Sequence, residues 1–113
     1  MKFLFVDDSA SWLQAVARAF RDNPDVCFAE CHSVTDALRA IAEYRPDTLF
    51  LDHSFTEGGE EGFEIADRVK GVKVYSTSSF LGEWAEEEYK QRGVTTIGKS
   101  DMKKLRSIIA KEA

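Results

Sequence analysis

The sequence has little proline and glycine and no long apolar run. Its 113 residues include 2 Pro and 7 Gly, which excludes a collagen-like repeat, and its 43% hydrophobic content excludes a disordered chain. No stretch approaches the roughly 20 apolar residues of a membrane-spanning helix. The opening residues, MKFLFVDDS, are apolar for too short a distance to form a signal peptide. We therefore expect one domain, residues 1–113, located in the cytoplasm.

Positive charge is also scarce. Lys and Arg number 15 against 20 Asp and Glu, so the net charge is −5. Proteins that bind nucleic acid directly need a basic surface that displaces counterions from the phosphates. We expect neither a nucleic-acid nor a membrane partner, and instead cations near the acidic clusters or a basic partner surface.

Only two cysteines are present, Cys27 and Cys31. Both fall on one predicted strand, where four residues span about 13 Å, beyond the reach of a disulfide. The sequence has no second cysteine pair to complete a zinc site. We expect thiols buried in the core, with a redox or metal role as the alternative.

Strand-like and helix-like segments alternate along the whole chain. The predicted strands are short apolar runs: Lys2–Val6, Val26–Cys31, Thr48–Leu51, Val72–Ser76 and Val94–Gly98. The predicted helices begin, in order, at Ser9, at Ser33 or Thr35, at Phe63, at Gly82 and at Ser100. Five successive strand–helix units predict a doubly wound α/β fold, with a parallel sheet and helices on both of its faces.

Polar side chains stand where the predicted strands end. They are Asp7, Asp8, Asp52, Thr77 and Lys99. The carboxyl ends of parallel strands share one edge of the sheet, which is where such sheets bind ligands. Three carboxylates at one edge repel each other unless a cation balances them, and oxygen ligands suit Mg²⁺. A carboxylate beside Mg²⁺ can attack a phosphoryl donor, and an ammonium group offsets charge on the transferred oxygens.

This set of five residues on five strand–helix units resembles the receiver domain of two-component response regulators, over the whole chain. The resemblance implies a flavodoxin-like five-stranded sheet in the order 2-1-3-4-5. It also implies a histidine kinase or a histidine phosphotransfer protein as the phosphoryl donor. Output would pass to a downstream protein through the face formed by the fourth helix, the fifth strand and the fifth helix.

The resemblance also implies a role for each site residue. These roles are Asp52 as phosphoacceptor, Thr77 and Lys99 as contacts of the phosphoryl group, and Asp7, Asp8, Asp52 and the backbone carbonyl of Ser54 as Mg²⁺ ligands. A receiver assists its own phosphorylation and dephosphorylation, so we expect no turnover enzyme.

The sequence departs from the family pattern at three places. Asp52 is followed by the acidic loop HSFTEGGEEG, which lacks the usual proline and reaches its matching glycine, Gly62, about two residues late. Ser100 replaces the proline, often cis, that usually follows the lysine. Thr96 or Ile97 stands where a switch aromatic is common on the fifth strand. Phosphorylation does not need these features, so a different output mechanism is the expected consequence.

Other interpretations stay open at this point. A phosphorylation-independent pseudo-receiver that acts as a docking module is the first, and a small Mg²⁺-dependent phosphatase with an aspartate nucleophile is the second. We expect no output domain after the last helix, with a part of a larger regulator or hybrid kinase as the alternative. Next to the site, His53 is expected to lie at the rim and modulate access, and Trp84 to belong to a partner surface.

Overall fold

Strands and helices alternate along the chain as predicted. A computed structural model describes residues 1–112. The strands are β1 (Phe3–Asp7), β2 (Val26–Glu30), β3 (Thr48–Asp52), β4 (Lys73–Ser78) and β5 (Thr95–Gly98). The helices are α1 (Ala10–Ala19), α2 (Val34–Tyr44), α3 (Glu61–Arg68), α4 (Glu83–Gln91) and α5 (Met102–Glu112).

The five strands form one parallel sheet in the order β2-β1-β3-β4-β5, which confirms the predicted fold. All five residues of β1 and all five of β3 are buried. Strands covered on both faces read as continuous apolar runs, and this explains why these two were visible in the sequence. The strand order reverses between β1 and β3, so a crevice opens at their carboxyl ends.

Hydrophobic side chains on the two faces of the sheet form two cores. On one face, Phe5 and Phe50 stack with ring centroids 4.3 Å apart, and α1 and α5 cover them. On the other face, the neighbouring residues Leu4 and Leu51 pack against α2 and α3. Alternation of side chains along each strand divides the cores in this way.

Serine caps begin the first two helices. The Ser9 hydroxyl accepts the backbone N–H three residues further on, and Ser33 does the same for α2. These contacts satisfy amides that have no partner within the helix. They confirm the Ser9 prediction and choose Ser33 over Thr35.

The predicted starts of two other helices were wrong. Asp101, rather than Ser100, caps α5, because its carboxylate accepts the backbone N–H of Lys104 at 3.1 Å. Helix α3 begins at Glu61, two residues before the expected Phe63. The acid favours that position because the first turn of a helix carries partial positive charge.

The cysteines are free thiols in different surroundings. Cys31 is buried just beyond the end of β2, and burial raises the pKa of its thiol to about 11. Cys27 is only half-buried, so the expectation of two buried thiols was wrong for this residue, whose sulfur accepts a hydrogen bond from Tyr44. The Lys99–Ser100 peptide bond is trans. Within residues 1–112, no helix has the length and apolar character required to cross a bilayer.

Candidate functional site

Three carboxylates meet at the carboxyl edge of the sheet. Asp7 ends β1, Asp8 follows it, and Asp52 ends β3, the strand beside β1. One carboxylate oxygen from each residue lies within 4.8 Å of the others. Strand pairing accounts for this approach, because Val6 and Leu51 are register partners and the next residues along are the two aspartates.

Lys99 reaches the same cluster from beyond β5. Its Nζ atom lies 2.8 Å from Asp7 Oδ2 and 3.2 Å from Asp52 Oδ1. Trp12 holds the lysine in place, since its indole N–H donates to the Lys99 carbonyl at 3.1 Å and its ring lies under the ammonium group. Four of the five predicted strand-end residues are therefore in one site.

Burial and like charge perturb the ionisation of this cluster. Burial first, and the neighbouring Asp7 second, raise the pKa of Asp52 to about 7. Burial also raises the pKa of Asp7, although Lys99 opposes it. Burial alone would lower the pKa of Lys99, but its two carboxylate partners outweigh that effect and raise it. One ammonium thus leaves the three carboxylates with an excess of negative charge.

This donor set fits Mg²⁺, which prefers oxygen ligands and tolerates several waters. The three carboxylates converge, and their excess negative charge is what a divalent cation would balance. Ser54, two residues after Asp52, directs its hydroxyl to the Thr56 carbonyl. Among residues 1–112, no hydrogen bond occupies the Ser54 carbonyl, so this oxygen remains able to serve as a ligand.

Thr77 is the register partner of Asp52 on β4. Its side chain is fully buried, and among the described residues its hydroxyl has no hydrogen-bond partner. A buried polar atom without a partner costs about 1–3 kcal/mol, so it calls for an explanation. A ligand bound beside Asp52 would supply the missing partner.

His53 is part of a contact that the sequence did not indicate. Its ring is half-buried, and its Nδ1 atom lies 2.6 Å from the hydroxyl of Tyr89, a fully buried residue of α4. Burial lowers the pKa of His53, against the opposing charges of Glu60 and Glu61. The imidazole therefore joins the residue after Asp52 to α4, which packs beside α3.

In the sequence, Gly62 is the residue that could have indicated the contact between His53 and Tyr89. A Cβ atom at this position would lie 2.3 Å from the Tyr89 hydroxyl and 2.8 Å from the Asp52 carbonyl oxygen. The backbone N–H of Gly62 also donates to the His53 carbonyl at 2.8 Å. Only glycine leaves room for α3, the end of β3 and α4 to approach this closely.

Large apolar side chains are exposed beside the site. Phe80, in the β4–α4 loop, is 87% exposed, and Trp84, on α4, is 62% exposed. Trp84 packs edge-on against Phe63 of α3, with ring centroids 5.6 Å apart. Exposed aromatic side chains are frequent in protein contacts, and the partner surface expected for Trp84 stays a prediction.

The strand order and the helices on both faces place the chain in the doubly wound α/β fold class, with a cluster of acids and one lysine at the carboxyl edge of the sheet. Solved structures of response regulator receiver domains have the same fold. The receiver domain of the DNA-binding response regulator merR from Colwellia psychrerythraea 34H superposes with a TM-score of 0.83. It covers 98% of this chain and 96% of that one, at 20% identity.

The chemotaxis protein CheY4 of Vibrio cholerae has a TM-score of 0.70 at 22% identity, with coverage of 94% of this chain and 95% of that one. No protein-family model matches the sequence. The sensory transduction protein LytT of Enterococcus faecalis is 32% identical over 74 residues, which are 65% of this chain. The chain matches only 30% of the length of LytT. The fold is that of the response regulator receiver domains.

Proposed function

We propose that this chain is a single receiver domain in which Asp52 accepts a phosphoryl group from a phosphohistidine protein in two-component or phosphorelay signalling. The observation that supports it is the placement of Asp52 beside Asp7 and Asp8, with Lys99 Nζ 3.2 Å from its Oδ1 atom. The donor would be a histidine kinase or a histidine phosphotransfer protein of the cytoplasm.

The transfer needs an ionised nucleophile. A carboxylate oxygen of Asp52 attacks phosphorus, a phosphorus–oxygen bond forms, the phosphorus–nitrogen bond to the donor histidine breaks, and the leaving imidazole takes up a proton. Lys99 holds a positive charge beside the reacting carboxylate, and the Thr77 hydroxyl would donate to a phosphoryl oxygen.

Asp7, Asp8, Asp52 and the Ser54 carbonyl would hold Mg²⁺, which supplies positive charge to the phosphoryl oxygens and favours the ionised form of Asp52. The raised pKa of Asp52 is the physical reason to expect this dependence, because without added cation much of the carboxyl is protonated at neutral pH. The domain assists its own modification and does not turn over a substrate.

Intact mass after incubation with a small phosphoramidate donor tests the proposal. We expect one added phosphoryl group that requires Mg²⁺ and is absent from Asp52→Asn. The matched control is Asp22→Asn, which changes an exposed aspartate of the turn after α1 and should leave the addition unchanged. Trp12 fluorescence in the same samples reports cation binding, since its ring lies against Lys99.

If the folded chain binds Mg²⁺ but gains no phosphoryl group, either from the small donor or from a phosphorylated histidine phosphotransfer domain, the phosphoacceptor proposal is wrong. The phosphorylation-independent docking module would then be the better interpretation. Steady release of phosphate from a generic phosphomonoester would instead favour the phosphatase.

We further propose that output passes to a downstream protein through α4, β5 and α5. The exposed Phe80, in the loop before α4, and Trp84, in the first turn of α4, support this surface. Alanine at both positions should abolish capture of that partner while leaving Asp52 phosphorylation intact. Loss of phosphorylation, or unchanged capture, would contradict this assignment.

A further inference from the structure

We infer that His53 and Tyr89 are positioning residues that couple the state of Asp52 to helix α4, so that this pair carries the signal out of the site. The inference rests on the proposed function, because it requires a ligand or phosphoryl group at Asp52. The pair consists of the residue that follows Asp52 and a fully buried tyrosine of α4.

The coupling begins at the carboxylate. The backbone N–H of His53 donates to Asp52 Oδ1 at 2.9 Å, and the same oxygen lies 3.2 Å from Lys99 Nζ. A phosphoryl group or a cation bound to this carboxylate must change both contacts, because it binds to oxygen lone pairs that now accept from the His53 amide and the Lys99 ammonium group. The position of His53 therefore depends on the state of Asp52.

The coupling continues through the imidazole. His53 Nδ1 lies 2.6 Å from the Tyr89 hydroxyl, and the two rings pack edge to face with centroids 5.5 Å apart. The Tyr89 hydroxyl also fills the space where a side chain at Gly62 would stand. Because the Tyr89 hydroxyl has no free space between His53 and Gly62, a shift of His53 displaces Tyr89 and with it α4.

The fifth strand offers no equivalent route. Ile97 is buried in the core on the α1 and α5 side, and Thr96 has no aromatic ring. Two rings pack against His53, Phe63 of α3 with centroids 4.9 Å apart and Tyr89 of α4 with centroids 5.5 Å apart. Of the two, Tyr89 accounts for a connection to the proposed output face, because it is a buried residue of α4 and its hydroxyl lies against the imidazole. The coupling consists of two consecutive direct contacts, Asp52 with His53 and His53 with Tyr89.

The contact between His53 and the Tyr89 hydroxyl can be removed while the packing of α3 against α4 is kept. Arg92, the residue after α4, donates to Asp67 of α3 at 2.8 Å and lies 4.7 Å from the Phe63 ring. Phe63 also packs against Tyr89, with centroids 4.6 Å apart. Tyr89→Phe keeps these contacts and removes one hydroxyl, so the fold should persist.

The two tryptophans provide separate reporters. The Trp12 indole N–H donates to the Lys99 carbonyl and so reports the site itself. Trp84 lies on α4 and contacts Phe63 of α3, so it reports the position of α4 relative to α3. Indole N–H signals in ¹H–¹⁵N NMR spectra, recorded with Mg²⁺ before and after beryllium fluoride is added as a phosphoryl mimic, follow both reporters in one sample.

In the unmodified chain both indole signals should shift. In Tyr89→Phe and His53→Phe the Trp12 shift should remain, and the Trp84 shift should fall to less than about half. The matched control is Tyr75→Phe, which removes another buried tyrosine hydroxyl, one bonded to Glu112; both shifts should persist.

The two proposals fail in different ways. If the Trp12 signal shifts, and the Trp84 shift in Tyr89→Phe and in His53→Phe equals that in Tyr75→Phe, the proposed coupling through His53 and Tyr89 is wrong. The proposed ligand site at Asp52 is then unaffected. A Trp84 signal that never moves in the unmodified chain also refutes the coupling. If Trp12 does not respond either, the site does not load, and the proposed function fails together with the coupling.

Discussion

Replacing Asp52 with asparagine removes a negative charge from a buried cluster while keeping the shape of the side chain. Burial and Asp7 raise the pKa of Asp52 from 3.8 to about 7. The folded chain therefore holds this proton more tightly than the unfolded chain does. The stability from this group is fully present below pH 3.8 and is lost as the pH rises through about 7.

The size of the effect follows from the shift. At about 1.4 kcal/mol per pKa unit, ionising Asp52 in the fold costs at most about 4 kcal/mol at a pH above 7. Asparagine avoids that cost, which is already net of the attraction of Lys99, but it brings two N–H donors into a pocket arranged around an acceptor, and this offsets part of the gain. We expect Asp52→Asn to raise the free energy of unfolding by about 1–2 kcal/mol near pH 8, and by less near pH 4.5.

Urea unfolding followed by circular dichroism, in the presence of a chelator, measures the gain at both pH values. Added Mg²⁺ should narrow the difference, because it binds more tightly to, and so stabilises more, the chain that retains all three carboxylates. Asp22→Asn, at an exposed turn position, is the control and should show no change. A variant that is less stable than the parent near pH 8, or a gain that does not depend on pH, would refute the electrostatic reasoning.

Three further substitutions test the structure, each by urea unfolding. Gly62→Ala should lower the free energy of unfolding by about 1–3 kcal/mol, because its Cβ meets a hydroxyl and a backbone oxygen, whereas Gly98→Ala, with open space at that position, should have little effect. Glu112→Ala should cost about 1–3 kcal/mol, because its carboxylate accepts two hydroxyl hydrogen bonds, from β3 and β4. Burial alone would raise the pKa of Glu112, but these hydrogen bonds and the Lys73 ammonium group outweigh burial and lower it. The stability lost in Glu112→Ala should therefore become smaller as the pH falls below 4.5. Asp101→Ala should cost about 1 kcal/mol and Ser100→Ala much less, since only the aspartate caps α5.

The elements that local pattern specifies were predictable. The central strands β1 and β3 are apolar on both faces, and a run such as TLFL followed by Asp52 signals a buried strand on its own. Ser9 and Ser33 bond to amides only three residues away, so their role is visible in a short window.

The boundaries that depend on a distant contact were less predictable. Asp101 and Ser100 are both ordinary capping residues, and the geometry of the turn after β5 decides between them. The start of α3 depends on Glu61, whose carboxylate accepts the backbone N–H of Phe55 across the preceding loop. Neither choice can be made from residue type alone.

Periodicity and strand termination are local properties of the chain, so the parallel α/β fold and the residues at the strand ends could be predicted from the sequence. Tertiary structure decided which side chains meet. The contact between His53 and Tyr89 joins residues 36 positions apart, and it exists because Gly62 lets α3 approach the end of β3. The raised pKa of Asp52 is likewise a tertiary property, since burial and the neighbouring Asp7 produce it, and both arise only when the strands pair.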